Sequence, residues 1–292
     1  MEGRFVRIEV AGDSEALREQ AAAEAFEAGA LGVEERDGPP PVLWIYANAA
    51  DAGPLLGALA QLAGLRVGAP EALPDTAWSE AWKEGLEAIV ISPRLVVRPS
   101  FAPAPAGFAG AELVIEPGQA FGTGGHASTR LALEAIEGLP AAALAGARVL
   151  DVGCGTGVLS LAALALGAAS ATGCDVDPLA TAAAREAAAA NGLGKRFALY
   201  TGSLAALGPR AAGAFDVVVA NLLRRELEPL LAAIARACRP GGHVILSGLL
   251  ESERERVEPR LDALGARVVA VRCFSDATGD GWLSILGLRS LR

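Results

Sequence analysis

Hydrophobic spacing divides the chain before any composition is counted. Residues 4–10, Arg-Phe-Val-Arg-Ile-Glu-Val, alternate polar and apolar side chains, the period of a half-buried strand. Asp13 or Ser14 can then cap an Ala- and Glu-rich helix that runs to about Ala28. Residues 29–35 predict a turn and a strand, 42–46 another strand, 52–62 a second helix and 65–67 a closing strand. That order, βαββαβ, predicts a small α+β domain of ferredoxin type over residues 1–70.

Between 71 and 110 the pattern loses its regularity, with Pro74, Pro93, Pro99, Pro103 and Pro105 along it. This predicts a linker with one short helix at Trp78-Ser-Glu-Ala-Trp82-Lys83, whose tryptophans at i and i+4 share a face. From about 147 apolar strands alternate with helical stretches, the signature of a parallel α/β sheet. Strands are predicted at 148–153, 170–177, 197–202, 215–223, 243–250, 267–274 and 281–288, and helices at 158–166, 178–191, 226–238 and 252–264. The last two strands are joined by residues 275–280, too few for a crossover helix, so an antiparallel hairpin should end the sheet. The expected architecture is α/β, with seven strands in a Rossmann-like domain over 111–292.

Of the 292 residues 52% are hydrophobic and 20% charged, enough apolar material for a packed core. The net charge of −9 disfavours a broad phosphate-binding surface, which argues against direct nucleic-acid contact and suits a basic protein partner. Cys154, Cys174, Cys238 and Cys273 lie far apart, without CxxC spacing or a histidine cluster, so they read as buried, reduced thiols rather than zinc ligands. No apolar run of about 18 residues lacks Gly, Pro or charge, which predicts neither a signal peptide nor a membrane span. The expected location is cytoplasmic, and no metal is expected.

The chemistry gathers in four stretches. In Val149-Leu-Asp151-Val-Gly153-Cys-Gly155-Thr-Gly157 an apolar strand enters a glycine turn that opens a helix. A dinucleotide fingerprint needs its third glycine one residue later, where Val158 stands, so the turn reads as shaped for S-adenosylmethionine rather than a pyrophosphate. Asp175 ends the next strand, about 20 residues on, where a carboxylate meets ribose hydroxyls in nucleoside-binding α/β folds. Asp177, just before Pro178, reads instead as a helix cap. Asn221 ends an apolar strand at the carboxyl edge, where open α/β sheets bind ligands. Ahead of the turn, 117–130 is a glycine-rich loop containing His126 and Thr129, and by chemistry alone His126 reads as an ordinary loop histidine.

Taken together, Pro117-Gly-Gln-Ala-Phe-Gly-Thr-Gly-Gly-His126-Ala-Ser-Thr129, Asp151-Val-Gly-Cys-Gly-Thr-Gly, Ala220-Asn-Leu-Leu and Leu246-Ser-Gly-Leu-Leu resemble the ribosomal protein L-eleven methyltransferases. The similarity covers the linker, through Trp78-Ser-Glu-Ala-Trp82-Lys83-Glu84, and the whole region after it, whereas the first 70 residues agree mainly in size and topology. It implies a class I methyltransferase domain, S-adenosylmethionine as cofactor, and methylation of lysine and N-terminal amines on one large-subunit ribosomal protein. Cofactor contacts carried over fall on Thr129, Gly153, Asp175 and Asn221, with Gly155 and Gly157 in the same turn. Asn221 would orient the amine, and His126 would relay its proton. The chain departs from the family after Glu84, where Gly85-Leu-Glu-Ala replaces a Lys-Pro-Phe-like stretch. Asn-Leu-Leu in place of Asn-Pro-Pro argues against a DNA or glutamine-amide methyltransferase. A lysine methyltransferase for another protein, a noncatalytic nucleotide-binding module and an NAD-dependent oxidoreductase are the rival readings.

Overall fold

Alternation places one face of Phe5–Gly12, strand β1, in a core: Val6, Ile8 and Val10 point inward and Arg7 and Glu9 outward. The computed structural model describes residues 5–12, 15–36, 41–73, 87–116, 125–275 and 281–291. It divides into two units, Met1–Leu86 and Glu87–Arg292.

In the first unit β1 is followed by helix α1 (Glu15–Glu27), β2 (Gly32–Arg36), β3 (Val42–Asn48), helix α2 (Ala52–Leu59), β4 (Leu65–Val67) and β5 (Glu71–Leu73). The strand order is β2-β3-β1-β4, with β5 also pairing β1, and every pairing is antiparallel. Ile8 and Ile45 from the sheet and Leu55 and Leu59 from α2 are fully buried together. On the outward face Trp44 lies between the guanidinium groups of Arg7, 3.9 Å from the ring centre, and Arg36, at 4.4 Å. Its ring N–H donates to Glu9 Oε2 at 3.2 Å. The caps expected at Asp13 or Ser14 and the short helix expected around Trp78 and Trp82 lie outside the described residues.

The stretch 71–110, expected as an irregular linker, holds more order than its prolines suggested. It contains β5, β6 (Ile89–Ser92) and β7 (Leu95–Arg98), and β8 (Ala111–Val114) follows, giving a three-stranded sheet β6-β7-β8 in the second unit. Pro93 sits in the turn between β6 and β7, and Pro99 follows β7 directly. A proline at a strand end removes no ladder hydrogen bond, so the prolines mark boundaries rather than disorder.

The larger sheet of this unit is built from β9 (Arg148–Val152), β10 (Ser170–Asp175), β11 (Phe197–Thr201), β12 (Phe215–Asn221), β13 (Cys238–Leu250), β14 (Ala266–Ser275) and β15 (Gly281–Arg289). Their order is β11-β10-β9-β12-β13-β15-β14. Pairings from β11 to β13 are parallel, and β15 runs antiparallel to both β13 and β14. Because both faces are covered, the central strands are apolar without alternation, and Val217 to Ala220 are all fully buried. Val149, Val217 and Val219 pack with the helices Ala127–Glu137, Val158–Ala165 and Pro178–Ala190. Leu150, Val218 and Ala220 face the other way, onto Leu231–Ala237 and Arg254–Ala263.

Two details depart from expectation. The helix predicted over 226–238 is interrupted: Arg224–Leu227 and Leu231–Ala237 flank a 3-10 turn at Glu228–Leu230, since Pro229 has no N–H to continue the ladder. Cys154, Cys174 and Cys238 are buried free thiols, but Cys273 is exposed, because β14 is the edge strand of the sheet. Among the described residues no helix is long and apolar enough to cross a membrane.

Candidate active site

The chain runs from β9 to β10 and β11 on one side and returns to β12 on the other, so neighbouring connections diverge above β9. Such a switch point leaves a crevice at the carboxyl ends of the strands. A cavity of about 680 Å³ occupies it, within the usual size range of small-molecule sites. His126, Thr129, Gly153, Gly155, Asp175 and Asn221 all line it, whereas Gly157 lies behind the wall.

One wall is backbone. Gly153, Gly155 and Gly157 have φ of +71°, +52° and +76°, values that side-chain-bearing residues rarely adopt. The Cys174 carbonyl accepts the N–H groups of Gly153 at 2.8 Å and Cys154 at 3.0 Å, which ties the turn to β10. A Cβ on Gly157 would lie 2.7 Å from the Phe197 ring, so this glycine serves packing. Beside the turn, Asp175 Oδ2 accepts the Gly155 N–H at 2.9 Å and Oδ1 accepts the Asp177 N–H at 3.1 Å. Each carboxylate oxygen keeps a further lone pair for a ligand. Asp177 accepts the Leu179 N–H at 2.8 Å as N-cap of Pro178–Ala190, with Pro178 in the first turn.

Asp151, for which the sequence alone suggests no role, lies below the turn and is 0% exposed. Its Oδ2 accepts the Ser160 N–H at 3.2 Å and the Ser160 hydroxyl at 2.9 Å, and its Oδ1 is buried with no hydrogen-bond partner. Burial pushes its carboxyl up to about 7, against the pull of the Ser160 bonds. The signal was present in the sequence: one acid in an otherwise apolar strand.

The opposite wall is made of side chains. Asn221 ends β12 and donates through Nδ2 to Thr129 Oγ1 at 3.2 Å, while its Oδ1 is buried without a hydrogen-bond partner. Leu222 fits between two glycines: a Cβ on Gly153 would meet Leu222 Cδ2 at 2.4 Å, and one on Gly248, where φ is +81°, would meet the Leu222 carbonyl oxygen at 2.6 Å. Gly248 sits where the β13–β15 register shifts, between Leu246 and Leu249, a bulge beside the cavity. Its neighbour Ser247 donates to the Ser128 carbonyl at 2.8 Å and fixes the helix that carries Thr129. Gly248, Glu226 and Trp282 also line the cavity, and sequence reasoning assigned none of them a role.

His126 is the N-cap of Ala127–Glu137. Its Nδ1 accepts the Ser128 N–H at 3.2 Å and lies 2.8 Å from the Ser128 hydroxyl, and its ring stands edge-on to Trp282 with centres 4.7 Å apart. Burial lowers its pKa, which favours the neutral ring. The rest of the expected loop, residues 117–124, lies outside the described residues. Among the described residues no group of three or more His, Cys, Asp or Glu is placed to hold a metal ion.

The cavity suits a nucleoside better than a pyrophosphate. A free carboxylate face at Asp175 matches paired hydroxyls, and among the described lining residues there is no Lys or Arg to meet phosphate. Asn221 closes the wall opposite with its amide oxygen buried and unpaired, and the glycine turn leaves room for close backbone approach. Combined with the mixed sheet and its switch point, these features define the chain as a class I S-adenosylmethionine-dependent methyltransferase. Residues 46–289 match the family described as ribosomal protein L11 methyltransferase (PrmA). A relative of that name from Sorangium cellulosum is 37% identical over 97% of this chain and 94% of its own, and one from Deinococcus radiodurans is 39% identical over 90% and 92%. The crystal structure of a ribosomal protein L11 methylase from Lactobacillus delbrueckii subsp. bulgaricus, 30% identical, covers 70% of this chain and 99% of its own with a TM-score of 0.60. This chain belongs to the ribosomal protein L11 methyltransferase family.

Proposed function

We propose that the enzyme methylates amino groups of ribosomal protein L11, both lysine ε-amines and the terminal α-amine. The names of its relatives supply the target, and Asn221 carries the chemical part of the reading. Thr129 takes one N–H of Nδ2 and orients the amide, and the unpaired Oδ1 would turn toward the cavity to accept an amine N–H. S-adenosylmethionine supplies a methyl carbon on a sulfonium, open to displacement by an uncharged amine.

Asp175 would hold the ribose hydroxyls, the turn at Gly153 and Gly155 would receive the remainder of the cofactor, and Thr129 would hold Asn221 in register. Leu222 and Leu223 line the path to Asn221 with apolar surface, which disfavours an ammonium and helps an amine, with a reference pKa near 10.4, arrive neutral. Nδ1 of His126 caps the helix by accepting the Ser128 N–H, so a proton relay there would begin at Nε2.

Residues 111–292 would perform transfer. Residues 1–70, with the βαββαβ order and antiparallel strand order of a ferredoxin-like domain, would recognise the target, and 71–110 would span the two, giving β5 to the first unit and β6 and β7 to the second. A ribosomal protein substrate would put the reaction in the cytoplasm, and the net charge of −9 suits a basic protein more than bare RNA. Incubation of the full chain with labelled S-adenosylmethionine and purified ribosomal proteins should label L11 alone, on amines located by mass spectrometry. Label on another protein, with L11 unmodified, would overturn the assignment.

A further inference from the structure

The side-chain wall continues past Asn221 through Leu222 and Leu223 to Glu226, and all four residues line the cavity. A turn brings Glu226 round, its N–H donating to the Leu223 carbonyl at 2.9 Å. Leu223 is 44% exposed and the Glu226 side chain 50% exposed, so this end of the wall is the mouth, half in the cavity and half in water.

Charge at the mouth is one-sided. Among the described lining residues the only carboxylates are Asp175 and Glu226, and there is no Lys or Arg. Asp175 has an N–H on each oxygen. Of the neighbouring cations, Arg224 is held by Glu253 at 2.7 Å and Glu228 at 3.3 Å. Arg225 reaches Glu226 only at 3.8 Å and is itself 77% exposed, a loose pair that an incoming cation can displace.

We propose that Glu226 is a specificity-determining residue, whose carboxylate draws a cationic side chain to the mouth and admits lysine ahead of neutral residues. The inference rests on the amine-methylation reading above. Leu223 then meets the lysine methylenes, and the ammonium passes its proton to solvent water at the mouth before the neutral amine moves in toward Asn221. Glu226 acts on capture rather than on the chemical step, so its loss should appear in KM and in salt dependence. Arg225, by partly neutralising Glu226, should act with the opposite sign.

The test is calorimetric titration of the full chain, saturated with S-adenosylhomocysteine, with a synthetic lysine peptide and its acetyl-lysine counterpart. The unaltered protein should prefer the lysine peptide. Glu226→Gln should weaken that binding about two- to fivefold, as expected for an exposed charge pair, and leave the acetylated peptide unaffected. Arg225→Gln should tighten it. Equal affinities of the unaltered protein for the two peptides, undetectable lysine-peptide binding, or the same affinity in both variants would overturn the proposal. Turnover on L11, measured with the same preparations, keeps the two readings apart. Glu226 dependence without L11 methylation would refute the target, whereas L11 methylation with KM unmoved by Glu226→Gln would refute the mouth.

Discussion

The two walls of the cavity are built by opposite means. Around Gly153 the surface is backbone, shaped by positive φ and held by the Cys174 carbonyl, so it is rigid and indifferent to which side chains flank it. Around Asn221 it is side chain, and its shape depends on Thr129, on the Ser247 bond to the Ser128 carbonyl and on the space left by Gly248. The first wall suits a ligand that never changes. The second suits a reacting group that must be oriented, and it is where relatives with other targets can diverge without disturbing the first.

Gly248→Ala strikes where the walls meet and should have the largest effect. It forces an alanine to φ of +81° and drives its Cβ to 2.6 Å from the Leu222 carbonyl oxygen. Strain and overpacking together should cost up to roughly 5 kcal/mol, read as a fall in the urea midpoint. A variant with undiminished stability and turnover would show that Leu222 is not fixed by this contact.

Asp151 tests the rigidity of the backbone wall from below. Its folded-state pKa of about 7 lies above the ordinary 3.8, so between those values the folded chain binds more protons than the unfolded one and stability falls as pH rises. The contribution, at most roughly 4 kcal/mol, is fully present below about pH 4 and gone above about pH 7. Asp151→Asn should flatten this component when urea unfolding is compared at pH 5 and pH 8. A variant with the same slope as the unaltered chain would remove Asp151 from the account.

Asp175→Ala should weaken S-adenosylmethionine binding by roughly tenfold to a hundredfold, the loss expected of about 1.5 to 3 kcal/mol for a charged hydrogen-bond acceptor. Asp177→Ala, two residues on, should cost about 1 kcal/mol of stability through the lost cap and leave affinity almost unchanged. Calorimetry and thermal unfolding on both variants would reverse the division if Asp177 proved the stronger determinant of binding.

The backbone wall was the more legible in sequence, for a physical reason. Glycines spaced as at 153, 155 and 157 after an apolar strand restrict the backbone to few arrangements, whereas a side-chain wall draws on residues brought together only by tertiary structure. Asn221 was visible because it ends an apolar run. Thr129, 92 residues away, became its partner only through folding. Gly248 stood in a recognisable string, but its role depends on a bulge against Leu222, and Glu226 and Trp282 look like any surface acid and any core aromatic. The same distinction applies to the fold. Strands of the parallel sheet were readable as continuous apolar runs between glycine turns, while β5, β6 and β7 were hidden because they are short and bounded by prolines. The exposed Cys273 was misread because an edge strand has no local signature.

The division of labour between the walls is tested most directly at Asn221. In Asn221→Ala, kcat on L11 and KM for both substrates should be measured on one preparation, together with the melting temperature. An acceptor that strengthens its bond as the nitrogen develops charge lowers the barrier more than it tightens binding. The account therefore predicts a fall in kcat of about a hundredfold, with KM values within about threefold and a folded protein. A lower melting temperature with normal turnover per folded molecule would contradict it, leaving Asn221 a brace for the turn after β12.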